Sequence, residues 1–221
     1  MQTPSRRGYA LLAAVFVASL AALVAFQSSG PRKTSPPYTG DLSIFEKEGR
    51  DQRLHIDQVM DTLTIGPGKN VADIGAGSGW FAVRAARKVT DTGKVYAVDI
   101  NPEAIHYVDE RVAKDGIRNV TAILSKPDDP MLPANSVDVV LLLKTYHEVA
   151  HPIQLMKNLE PALRPGAKIG IIDRNGTGED HGVAKATVVR EMGDAGYRLI
   201  GEQDQLVKDD NMDYFLIFVV K

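Results

Sequence analysis

Residues 71–85 read VADIGAGSGWFAVRA, and the fold of the whole chain turns on how this stretch is read. An apolar run ends at Asp73, passes through the alternate glycines Gly75, Gly77 and Gly79, and then sets Phe81, Ala85 and Val89 on one face of a helical period. The pattern predicts a strand, a tight turn and a helix. Alternate glycines let the backbone turn sharply and let a ligand approach where a Cβ would collide, while the first turn of a helix presents free N–H groups. A nucleotide-like ligand is expected against this turn.

The spacing narrows the choice of ligand. A dinucleotide fingerprint of the G-x-G-x-x-G kind needs glycine at position 80, which is Trp80, so NAD and an oxidoreductase are the less favoured reading. No G-K-[ST] follows the turn, which excludes a phosphate loop. A second apolar strand, KVYAVD at 94–99, ends on Asp99 and is followed by Ile100, Asn101 and Pro102. Further along, NSVDVVLLL at 135–143 reads as a polar turn entering a buried strand, and LRPGAKIGIID at 163–173 as a helix end, a Pro-Gly turn and a strand.

Taken in this order, the four segments resemble the class I S-adenosylmethionine-dependent methyltransferases over residues 65–221. The resemblance implies an α/β fold, a doubly wound seven-stranded Rossmann-like sheet with an antiparallel last strand, and S-adenosylmethionine as cofactor. It implies that Asp73, Gly75, Ala76, Gly77 and Gly79 face the amino-acid part of that cofactor, and that Asp99, with Ile100 beside it, binds the ribose hydroxyls. A carboxylate suits the ribose because it accepts hydrogen bonds from two neighbouring hydroxyls. Where relatives carry Gly-Asp-Ala after the third strand, this chain has Ser125-Lys126-Pro127-Asp128, so Asp128 is the candidate for the adenine amino group.

The remaining sequence alternates as such a sheet requires. Helices are expected over 102–114, 152–163 and 182–195, and strands over 120–124, 137–143, 168–173, 197–207 and 213–220. Ahead of the glycine turn, 43–63 reads as one or two helices with Val59, Met60 and Leu63 on an apolar face. Arg50, Arg53 and His55 in this region are candidates for substrate contact.

Composition bounds the function. The chain has 221 residues, 44% of them hydrophobic, enough for one α/β domain with a sizeable core. A net charge of −2 supplies no basic field for nucleic acid, which leaves a small molecule as the expected substrate. The absence of cysteine excludes a disulfide framework, a thiolate zinc site and cysteine-based methyl or arsenic chemistry, and no metal site is expected. Oligomeric state is not encoded in any pattern of the chain.

The N-terminus is of another character. Arg6 and Arg7 precede an uncharged stretch, 8–31, whose apolar part at 9–26 is rich in alanine, leucine and valine. Residues 1–27 are therefore expected to be a signal peptide, of twin-arginine type, or a membrane anchor through 8–26 that places the domain outside the cytoplasm. A polar, proline-bearing flexible linker is expected over 28–40, and the methyltransferase domain over 41–221.

Methyl transfer from a sulfonium is an in-line displacement, so alignment in a dry site supplies most of the acceleration. A protic acceptor also has to lose its proton, and the fold exposes the end of its fourth strand to the reaction. Lys144-Thr145-Tyr146-His147-Glu148 stands there. Tyr146 is expected to face the sulfonium with its ring, and His147 to act as the base. His181, in the loop after the fifth strand, is a further candidate for the pocket. Lys144 is the discordant residue: at an effective dielectric of about 20, an ammonium repels a sulfonium 4 Å away by about 4 kcal/mol unless it points away or pairs with an acid. That leaves a non-catalytic nucleoside-binding module as the alternative to an enzyme.

Overall fold

The computed structural model describes residues 30–36 and 38–221, so the segment expected to be a signal or anchor, 1–27, lies outside the described residues. Two short helices, α1 (Arg50–Arg53) and α2 (Ile56–Thr62), lead into the sheet. The expected apolar face of the second is buried through Val59, Met60 and Leu63. Strand β1 (Asn70–Ile74) then runs into the glycine turn, and helix α3 (Trp80–Val89) leaves it. Phe81, Ala85 and Val89 are all buried, as their spacing requires.

The chain continues through β2 (Lys94–Asp99), α4 (Pro102–Lys114), β3 (Val120–Leu124), β4 (Val137–Leu143), α5 (Pro152–Leu159), β5 (Leu163–Asp173), α6 (Lys185–Asp194), β6 (Tyr197–Glu202) and β7 (Tyr214–Val220). Asn101 starts α4, its side chain accepting from the Glu103 N–H at 2.9 Å, with Pro102 at the first helical position. The sheet order is β3-β2-β1-β4-β5-β7-β6. β1 pairs parallel with β2 and β4, and β7 lies antiparallel between β5 and β6. This is the expected seven-stranded, doubly wound α/β sheet. The continuous apolar run of β4 follows from burial on both faces. One layer packs α2 and α3 on the sheet, the other α5 and α6.

Strand order reverses between β1 and β4, and in such sheets ligands bind outside the carboxyl ends of the strands at that point. The functional loops are therefore those leaving β1 to β5.

Two boundaries differ from expectation. The strand expected over 197–207 stops at Glu202, because the Asp204 carboxylate takes the Phe215 N–H that a longer ladder would use, at 3.2 Å. The freed chain makes two 3₁₀ turns, Asp204–Leu206 and Lys208–Asp210, which carry Asp210 back to the end of β4. Within the segment expected as a flexible linker over 28–40, Arg32 and Ser35 are tied to the domain. The Arg32 N–H donates to the Ala150 carbonyl at 2.8 Å, and its guanidinium to the carbonyls of Tyr146 and Val149 and to Glu191 at 2.9 Å. Ser35, 1% exposed, donates its N–H to the Gly178 carbonyl at 2.9 Å. These partners lie more than a hundred residues away, so a polar composition gave no sign of them.

Candidate active site

A cavity of about 350 Å³ opens at the switch point. Its walls come from the loop after β1 (Gly75, Ala76, Gly77), the end of β2 (Asp99, Ile100), the loop after β3 and the loop after β4. Gly75 has φ +77°, and a Cβ there would lie 2.3 Å from the Thr145 side chain. The β1 and β4 loops thus touch at a point where only glycine fits. Gly79, also left-handed, starts α3.

Asp99 is set by the turn it faces. One carboxylate oxygen accepts the Gly77 N–H at 2.8 Å and the other the Asn101 N–H at 2.9 Å. A carboxylate has about four acceptor positions, so these two bonds orient the group without exhausting it. Ile100 stays 41% exposed although apolar, and lines the cavity beside Asp99, where a planar base would cover it.

Asp73, one residue before the end of β1, stands on the cavity wall, 2% exposed, and its Oδ2 has no hydrogen-bond partner among the described residues. Burial pushes its carboxyl up to about 7, the charge of Asp99 adds to the effect, and Arg50 opposes it. Arg50 stacks its guanidinium on Trp80 at 4.2 Å, donates to the Phe45 carbonyl at 2.8 Å, and lines the cavity. Arg53 and His55 are turned elsewhere, to Asp210 at 3.1 Å and Asp209 at 3.6 Å.

Two expected contacts are placed otherwise, and the discordant Lys144 finds an acid. Asp128 is not among the cavity-lining residues: Lys126 and Asp129 exchange backbone hydrogen bonds, which puts Asp128 in the tip of a tight turn, its carbonyl held by Asn158 at 2.7 Å. Ser125, Lys126 and Pro127 line that part of the wall instead. Tyr146 turns into the opposite core layer with no exposed surface and donates its hydroxyl to Glu191 at 3.1 Å, so its ring does not face the cavity. Burial holds that phenol well above its ordinary range. Lys144 does line the cavity, but its ammonium pairs with Asp210 at 2.8 Å.

His147 is buried behind the cavity wall, and its Nδ1 lies 2.8 and 3.0 Å from the two oxygens of Asp173, a fully buried carboxylate ending β5. The same carboxylate accepts the His147 N–H at 3.1 Å. This holds a proton on Nδ1 and turns Nε2 toward Glu148, 3.7 Å away. Glu148 reaches the cavity and, half-buried, has its carboxyl raised to about 7, mainly by desolvation. Glu148 and Asp173 were missed in the sequence, although Asp173 is an acid ending β5 and Glu148 stands in the short turn after β4. Although no metal site was expected, one ligand atom from each of His147, Glu148 and His181 lies within 4.8 Å of the others.

An open α/β sheet with a glycine turn at its switch point and an acid closing the second strand defines a nucleoside-cofactor site. The residues present fit S-adenosylmethionine: Asp73 offers an unsatisfied buried acceptor suited to an ammonium, Asp99 suits the vicinal hydroxyls, and Ile100 gives an apolar wall for the base. Residues 65–212 match the family model described as a methyltransferase domain, and the chain belongs to that family. A solved S-adenosylmethionine-dependent methyltransferase from Aquifex aeolicus superposes with a TM-score of 0.70 at 25% identity, over 81% of this chain and 97% of that one. Among curated proteins, an arsenite methyltransferase of Halobacterium salinarum is 29% identical over 62% of this chain and 35% of its own. A protein-L-isoaspartate O-methyltransferase of Pyrococcus horikoshii is 28% identical over 50% of this chain and 47% of its own. The chain thus spans about a third to a half of the length of these curated relatives.

Proposed function

We propose that this protein transfers the methyl group of S-adenosylmethionine to a small-molecule acceptor. The observation that carries the reading is the cradle at the switch point, where the Gly77 N–H, the Asp99 carboxylate and the buried, unpartnered oxygen of Asp73 converge on one cavity. Bound there, the cofactor supplies an electrophilic methyl group. The chain's own residues bind and orient it through Asp73, Asp99 and the glycine turn, and the side chains of Leu42, Phe45 and Trp80 keep water from the amino-acid end. The acceptor enters at the loop after β4, where Glu148 lines the cavity and His147 stands behind it.

Several features support a small acceptor. The cavity has a volume of about 350 Å³, and the net charge of −2 offers no basic field for nucleic acid. Without cysteine, this chain has no thiolate to hold a thiophilic acceptor such as arsenite. The pairing of Lys144 with Asp210 removes the charge conflict that favoured a binder without turnover. Calorimetric titration of the full chain tests the reading: S-adenosylmethionine and S-adenosylhomocysteine should bind and NAD should not, and saturable binding of NAD alone would overturn it.

We further read residues 1–27 as an export signal or inner-membrane anchor, on the strength of Arg6, Arg7 and the uncharged stretch after them. No helix among the described residues is long and apolar enough to cross a membrane. A C-terminal reporter active only outside the cytoplasm should give signal, and changing both arginines to lysine should lower it if the twin-arginine route is used.

A further inference from the structure

The side chains at the acceptor edge are arranged as a ligand set. Asp173 holds His147 Nδ1 from behind and leaves Nε2 as the nitrogen a ligand can reach, the arrangement in which a carboxylate orients a metal-bound imidazole and raises its basicity. Glu148 is the next residue and reaches the same space, its Oε1 3.7 Å from that nitrogen. His181 comes from the loop after β5, its ring edge-on to His147 with centroids 5.9 Å apart. Its backbone is held at φ +58°, with the N–H donating to Ser35 Oγ at 3.0 Å and the carbonyl accepting from Arg174 at 2.7 Å. Three parts of the chain, the strap at Ser35, the loop after β4 and the end of β5 with its loop, thus set one imidazole opposite another. A general base needs only the His147–Asp173 pair; it does not account for a second imidazole and a carboxylate converging on the same nitrogen.

We propose that His147, Glu148 and His181 bind a divalent transition-metal ion of the zinc class at the acceptor edge of the cavity, with Asp173 as the outer carboxylate. Two imidazoles and one carboxylate are a donor set that selects zinc-like ions over magnesium or calcium, and three protein ligands leave coordination open. A tetrahedral ion with ligands at about 2.0–2.1 Å separates them by about 3.3 Å. The present separations of up to 4.8 Å close by rotation of the exposed His181 ring and the half-buried Glu148 carboxylate, while the buried His147 stays in place. Of the three ligands Glu148 lines the cavity, so an ion held by the set would meet an acceptor with an oxygen or nitrogen donor, whose proton would pass to solvent more readily once the atom is coordinated. Ion binding itself does not depend on the methyl-donor reading; only the assignment of the ion to the acceptor rests on it.

The test is zinc titration of the full-length protein, prepared with chelator and without a histidine tag, followed by metal analysis after dialysis. One zinc ion per chain is expected. His181→Ala, a change in an exposed side chain, should weaken binding by more than about 100-fold, and Asp173→Asn by about 10–100-fold through the outer carboxylate. His106→Ala, on the exposed face of α4, should leave it unchanged. Substoichiometric zinc in the unaltered protein, or equal binding by His181→Ala and Glu148→Gln, would overturn the site. Titrating S-adenosylhomocysteine into the same samples keeps the two readings apart: zinc bound without it sinks the cofactor reading, and the reverse sinks the metal site.

Discussion

The Lys144 ammonium stands 2.8 Å from the Asp210 carboxylate, an ion pair joining the end of β4 to the 3₁₀ turn before β7. Asp210 is 7% exposed and also receives Arg53 at 3.1 Å, so it neutralises cations on the cavity side of the sheet. Removing Lys144 should therefore change little for a cationic ligand. Lys144→Asn is expected to leave the affinity ratio of S-adenosylmethionine to S-adenosylhomocysteine within about twofold, because the charge it deletes is already compensated. Asp210→Asn should lower that ratio by about tenfold, roughly 1.4 kcal/mol, and cost stability as well by uncovering two cations. Equal ratios in both variants would place the sulfonium beyond the reach of Lys144.

Asp73 makes the unliganded protein sensitive to pH. Its carboxyl is raised from 3.8 to about 7 in the folded state, so between those values the native chain holds a proton that the unfolded chain has released. Stability from this group is full below about pH 4 and is lost as the pH rises through about 7, by an amount on the order of 4 kcal/mol. Asp73→Asn should match the unaltered protein at pH 4 and exceed it in urea midpoint at pH 8. The same variant should bind S-adenosylhomocysteine more weakly, since an amide offers no charge to an ammonium. A midpoint that falls at pH 8 would mean that the carboxylate is already satisfied in the unliganded protein.

The sequence carried the fold and half of the site, for a physical reason. Glycines, acids near strand ends and 3.6-residue apolar spacing are local requirements, so the turn at Gly75 and Gly77 was legible from its neighbours, while the roles of Asp73 and Asp99 came with the family resemblance; all four residues line one cavity. Tyr146 could not, because its direction is set by Glu191, 45 residues away, and by the opposite core layer. Asp128 failed for a short-range reason, the Lys126–Asp129 backbone exchange that closes the turn under it. The His147–Asp173 pair and the docked strap at Arg32 depend on which strands become neighbours, and no window of sequence contains both partners.

Asp99 and Gly77 test the cradle itself. Asp99→Ala removes the acceptor of the Gly77 N–H as well as the groups offered to the ribose, and should weaken S-adenosylhomocysteine by about 1.5–3 kcal/mol. Gly77→Val places a β-branched residue at φ +53° with its Cβ 3.5 Å from the Phe45 ring, so binding should be lost and the turn strained. Calorimetry measures the first effect and thermal unfolding separates the second from misfolding. If Gly77→Val unfolds normally and still binds, the ligand does not approach the turn.

Arg32 links the N-terminal strap to the loop that carries His147 and Glu148. Its guanidinium is 14% exposed and Glu191, its partner, 10%, so the pair is largely withdrawn from water. The fork also serves the carbonyls of Tyr146 and Val149, one on each side of the His147–Glu148 step. Deleting it leaves the buried Glu191 carboxylate with the Tyr146 hydroxyl but no cation, and takes a donor from each of the two carbonyls. Arg32→Ala should therefore lower unfolding stability by about 3–5 kcal/mol, the cost of breaking a buried pair from one side. Arg32→Lys should recover only part of it, because a single ammonium cannot reach the three acceptors in a planar fork. The measurement is urea unfolding of the full chain, together with amide exchange of residues 146–149, which should speed up in both variants. A loss below about 1 kcal/mol with unchanged exchange would show that the strap rests on the domain without bracing its acceptor edge.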